Sequence, residues 1–294
     1  MRGMTETIPL IEKTFEIWPG LMRFAAAGEG AHAALAAAMD VARETSGALL
    51  SDAELLSSGL PDVLPRSGAA RRVMDHVHRV AGATGLEPAR LPPVVAALPG
   101  AVCDQALEAM EQAREEAGGC ELLIASLGDA MAVKMTRGTG MPFMPNMPPV
   151  LSEFVTALGP GFAGGAAMAG IRADFPTEGF ADMVGVAGSS AAEAGYMAVL
   201  LSDAVYTAGV STRQEPLRDR IAAMSWEGRT TVFRTGTMEP DAIWDGLSAG
   251  ARRASALREA RLLRAAVIGL KGRGRTIGPV DGDKLLRFGV SEWR

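Results

Sequence analysis

Leu122-Leu123-Ile124-Ala125-Ser126-Leu127-Gly128-Asp129-Ala130-Met131-Ala132-Val133 is the stretch on which the fold turns. An uncharged run enters a Gly-Asp pair and leaves as a second apolar run. Short apolar runs bounded by a turn dipeptide read as buried strands. Gly-Asp suits the corner because glycine supplies a positive φ and aspartate bonds to nearby backbone. Just before it, residues 101–117 read as a helix with Val102, Ala106, Ala109, Met110 and Ala113 on one face. Residues 93–135 are therefore expected to form a helix–strand–turn–strand unit.

Outward from this unit the chain alternates helices and strands. Residues 5–18 look extended, with Ile8, Leu10, Phe15 and Ile17 near alternation, and 20–46 read as an Ala-rich helix interrupted by Gly28 and Gly30. The stretch 57–68 is rich in Ser, Gly and Pro and reads as a loop, followed by a helix over 69–82 with Val73, Val77 and Val80 on a stripe. Beyond the strand pair, Met141, Met144 and Met147 are each followed by proline. Polyproline II has three residues per turn, so their thioethers are expected along one edge, for packing or as a lid. Residues 149–171 read as loop or helix and 187–208 as a long small-residue helix. A strand over 229–235, a helix over 239–262, a strand over 265–270, a turn at 272–274 and a short return strand over 276–280 complete the reading.

The chain has 294 residues, enough for a sizeable core, and 48% are hydrophobic with only 5% aromatic. Small residues allow close helix–helix and helix–sheet approach, so dense packing of helices and strands is expected. A formal net charge of −5 gives no electrostatic basis for binding nucleic acid or an anionic membrane. No apolar run approaches the roughly 18 residues of a spanning helix, and residues 1–18 lack a signal-peptide core. Cys103 and Cys120 have no CxxC spacing and read as reduced thiols, so a cytoplasmic location is expected.

Three segments together resemble the FAD:protein FMN transferase (ApbE-like) superfamily, in particular its short uncharacterised branch. They are Leu91–Met110 followed by Cys120–Val133, then Gly165-Ala166-Ala167-Met168-Ala169-Gly170 with Glu178–Asp182 and the helix beyond, and Thr231–Gly278. The resemblance covers roughly 69–278 in the right order. It implies one α+β domain over 1–294 with the flavin-transferase fold, in which mixed sheets and small-residue helices surround a central cleft. Residues 1–68 would be an N-terminal extension. It further implies a flat ligand, FAD or FMN, near Gly128, Asp129, Gly165, Gly170 and Asp182.

Catalysis in that superfamily uses Mg²⁺, which needs oxygen ligands. The metal motif aligns with Ala194-Gly195-Tyr196-Met197-Ala198-Val199, where Gly195 and Val199 stand for the family's Asp and Thr. Neither side chain offers an oxygen, so no Mg²⁺ and no FMN transfer are expected. The Thr-Ser of the phosphate loop becomes Met168-Ala169, and Leu127 replaces the first glycine of the family's Gly-Gly-Asp corner. The expected function is binding of a flavin- or pterin-type ligand. The alternatives are a non-enzymatic assembly subunit with a filled pocket, homo-oligomeric in either case, or an enzyme using Asp129, Asp182 and Arg172 as acid, base and anion clamp.

The remaining polar residues read more plainly. Asp182 suits the start of the following helix. Glu193 and Asp203 read as the wet side of that helix. His76 and His78 point about 200° apart on a helix and cannot share a metal. Lys271, Arg273 and Arg275 form a basic turn that reads as a solvated tip or a phosphate contact.

Overall fold

The computed structural model describes residues 9–57, 63–85, 94–174, 177–216 and 230–293. Its centre is a nine-stranded sheet in the order β1-β2-β3-β4-β5-β6-β9-β10-β11. The strands are β1 (Leu10–Ile17), β2 (Gly20–Ala27), β3 (Leu122–Leu127), β4 (Ala130–Met135), β5 (Ala163–Ala169), β6 (Met183–Gly188), β9 (Ala265–Leu270), β10 (Arg273–Ile277) and β11 (Glu292–Trp293). Neighbours are antiparallel except β10 and β11, which run parallel. A separate hairpin pairs β7 (Thr212–Pro216) with β8 (Thr230–Thr235). The chain is thus mixed α+β.

The β3–β4 hairpin forms as the sequence predicts. Leu127 pairs with Ala130 across a two-residue turn, and Gly128 takes φ +54° there. Every residue of β3 is buried because both faces of the sheet are covered. Leu123, Ala125 and Leu127 face one apolar cluster, while Leu122 and Ile124 face the other. A strand buried on both sides reads as a continuous apolar run rather than an alternating one.

Helices α1 (Ala31–Ser57), α2 (Gly68–Thr84), α3 (Leu98–Glu116), α5 (Ala191–Ala204) and α6 (Pro240–Glu259) share the larger cluster on the first face. The second face carries α4 (Pro149–Ala157), through Leu151, Phe154 and Val155, together with Met144, Met147 and Phe288. Met141 packs at the margin of this cluster, so all three thioethers meet one apolar surface. The Met147 amide donates to the Met144 carbonyl, so a turn interrupts the expected polyproline run.

Three sequence expectations change here. Residues 20–27 form β2, not the start of a helix. Pairing with β1 on one side and β3 on the other overrides the helix preference of alanine. Residues 163–169 form β5, where loop or helix is expected, and 183–188 form β6, whose last two residues are expected to be helical. Their small residues have little intrinsic strand preference. They are strands because β4, β6 and β9 pair with them in turn, and at Gly165 the main chain before α5 comes too close to admit a side chain. Finally, β1, β2 and α1 belong to the same sheet and helical layer as the rest, so residues 10–57 are integral to the core. The expectations for Pro88, Pro92 and Pro93, for residues 5–8 and for 58–62 of the expected loop fall outside the described residues.

Candidate functional site

Strand direction places three connections at one end of the sheet: the β3–β4 turn, the 170–182 connection from β5 to β6, and the β9–β10 turn. Four of the five predicted contact residues, Gly128, Asp129, Gly170 and Asp182, sit on this rim.

Asp129 is half-buried at the hairpin corner. Its carbonyl accepts the Met168 amide at 2.9 Å, and its Oδ2 accepts the Asp174 amide at 2.5 Å. Burial, and the Asp174 carboxylate beside it, push its carboxyl up to about 6. Asp203, at the end of α5, accepts the Glu178 amide at 2.8 Å and the Gly179 amide at 3.2 Å. Burial raises its carboxyl to about 7, against the pull of those two amides. Asp203 is therefore no mere wet position; it anchors the far part of the connection. Between these anchors, Arg172 is exposed, and its guanidinium rests against Gly289.

Asp182 does not begin a helix, since β6 separates it from α5. Its Oδ2 instead accepts the Lys271 amide at 2.6 Å, bracing the β9–β10 turn, where Lys271 and Gly272 both have positive φ. Gly170 lies against the Ala181 and Asp182 carbonyls at about 3 Å from where a side chain would begin. The fifth predicted residue, Gly165, is not on the rim. It faces α5, and a methyl there would overlap the main chain of Ser190 and Ala191.

Gly195 and Val199, where the resemblance implies metal ligands, both lie within α5. A methyl on Gly195 would stand 2.9 Å from the Ala96 carbonyl, and Val199 is buried. Mg²⁺ does not fit there: neither side chain bears an oxygen and protein fills the space. Among the described residues no group of His, Cys, Asp and Glu is placed to hold a metal, and no helix is long and apolar enough to cross a membrane.

A second polar cluster gathers at the opposite end, around the start of α5. Glu193 is 1% exposed, not on a wet face as expected. It pairs with Arg79 of α2 and accepts from the Ser189 hydroxyl. His76 brings Nε2 to 3.4 Å from Ser190 Oγ and Nδ1 to 3.7 Å from Glu193. Burial, then the neighbouring Arg79, holds this imidazole below its ordinary range, favouring the neutral ring.

Serine, histidine and glutamate in that order suggest a nucleophile and its base. Acyl transfer also needs amides free to receive an oxyanion. The nearest, those of Ala191 and Ala192, already donate to the buried Asp104 carboxylate at 2.8 and 3.0 Å. Ser190 Oγ itself accepts the Glu193 amide at 3.2 Å. The cluster is an anchor for the start of α5. Its one legible signal was Ser190-Ala191-Ala192-Glu193, the pattern of a capping box. Asp104, His76 and Arg79 come from other helices and left no local mark.

No family model matches the chain, and no curated protein matches it.

Proposed function

We propose that the protein binds a flat heterocycle of flavin or pterin type at the rim between the β3–β4 turn and the 170–182 connection, on an ApbE-like fold, without Mg²⁺-dependent FMN transfer. The observation that carries this reading is Asp129. Its Oδ2 holds the Asp174 amide, and its Oδ1 has no partner among the described hydrogen bonds. A carboxylate is a strong acceptor for the ring N–H and amino groups of such heterocycles. A raised pKa in a half-buried setting is a mark of functional sites as a class. Gly165 and Gly170 are closed by main chain, so this reading has the ring system, not a phosphate, meet the protein.

Thermal shift with FMN, FAD and a pterin, each with and without Mg²⁺, tests it. The expected result is a magnesium-independent shift with at least one heterocycle that Asp129→Asn reduces. Magnesium-dependent transfer of FMN to a protein hydroxyl would overturn it.

The second reading, an assembly subunit with a filled pocket, is favoured by the burial of Leu127, Met168 and Val199 where the superfamily's ligand contacts are expected. A purified homo-oligomer that shifts with none of these compounds is the outcome it predicts.

A further inference from the structure

A cleft of about 410 Å³ lies between α6 and β10, away from the rim and from the Glu193 cluster. On one wall α6 presents Ser248, Arg252, Ser255 and Glu259, spaced for a single helical stripe. The other wall is Arg275 of β10. Its guanidinium lies 5.3 Å from the Trp244 ring centre, which holds the planar group in place. Its Nε is buried without a hydrogen-bond partner. Arg273 stacks on the same ring at 5.6 Å, but its charge is taken by Glu292. Among the described residues no ion pair engages Arg275 or Arg252. Two unneutralised guanidiniums, one pre-oriented, thus share a cleft with two hydroxyls and one carboxylate.

We propose that this cleft binds a soluble phosphate monoester that carries hydroxyl groups. Two guanidiniums favour a dianion, and their planar donor forks match phosphate oxygens. Ser248 and Ser255 add hydroxyl donors on the same wall. Glu259 repels an anion, so the phosphate sits toward the arginines and the ester's hydroxyls donate to Glu259.

Calorimetric titration of the whole protein with glycerol 3-phosphate tests the proposal, with glycerate as the carboxylate counterpart and phosphatidic-acid vesicles as the lipid source. Saturable binding of glycerol 3-phosphate is expected, tighter than that of glycerate. Arg275→Gln and Arg252→Gln should each weaken it about tenfold. Arg258→Gln, an exposed change on α6 outside the cleft, should leave it unaltered. Arg252 is exposed, so its variant tests the site even if loss of the Arg275 stack unfolds the chain. Absence of binding, equal affinity for glycerate, an equal loss in Arg258→Gln, or binding to vesicles alone would each overturn it.

Discussion

At Gly165 the side-chain face of a central strand touches the main chain of the helix that covers it. Any Cβ there overlaps Ser190 and Ala191, so the sheet and α5 must move apart to admit one. Gly165→Ala is expected to cost about 3 kcal/mol, the upper range for overpacking a tight core. Urea unfolding of the variant checks this; a loss within error of zero would mean that α5 is free to shift. Resemblance marked Gly165 as a ligand contact, and the structure sets it against the start of α5. A glycine in a sequence signals that something comes close. Whether that something is a ligand or the chain itself depends on residues remote in sequence, here Ser190 and Ala191. Gly128 differs, because its positive φ belongs to a local turn and was legible in the Gly-Asp pair.

Helix α5 is the element on which most of these relations converge. It is buried nearly all round, from Ala191 to Ser202, so its starting amides cannot turn to water. Asp104 of α3 supplies their acceptors, and Ser190 caps the next turn. Asp104→Ala leaves two buried donors unpaired, an expected loss of about 2–4 kcal/mol. Asp104→Asn keeps one acceptor oxygen, so its loss should be clearly smaller. Chemical denaturation of the two variants side by side checks the ordering, and equal losses would count against this capping role. The helix was visible in the sequence, although its start was expected near 187 and lies at 191. Of the residues between, Ala187 and Gly188 complete β6 and Ser190 caps the helix, and only pairing with β5 and β9 sets the end of the strand. The partner that satisfies its first turn lies 87 residues away, beyond the reach of local pattern.

Over the whole molecule, the rim carries half-buried carboxylates whose ionisation opposes the fold. Asp129 titrates near 6 in the folded chain against an ordinary 3.8, and Asp203 near 7. A pKa raised on folding means that the folded state holds the proton more tightly. The resulting stabilisation is complete below the ordinary value and is lost as pH rises through the folded one. His76, held below its ordinary range, acts in the opposite direction as pH falls, so the total profile mixes several groups. A difference isolates Asp129. Relative to Asp129→Asn, the wild type should lose stability as pH rises from about 4 to about 7, and hold steady above. Urea midpoints across that range check the sign, and a flat difference would place Asp129 in a more solvated setting. By itself the sequence determined the β3–β4 hairpin, the α3, α6 and β9 segments and the absence of metal-binding side chains at 195 and 199. Those features follow from local turn chemistry, periodicity and residue identity. Only the tertiary structure decided that 20–27, 163–169 and 183–188 are strands, that Glu193 is buried, and that Gly165 meets a helix. Alanine and glycine carry almost no local preference for a strand, and a buried charge is tolerated only when distant partners reach it. Such choices are made by packing against neighbours far along the chain.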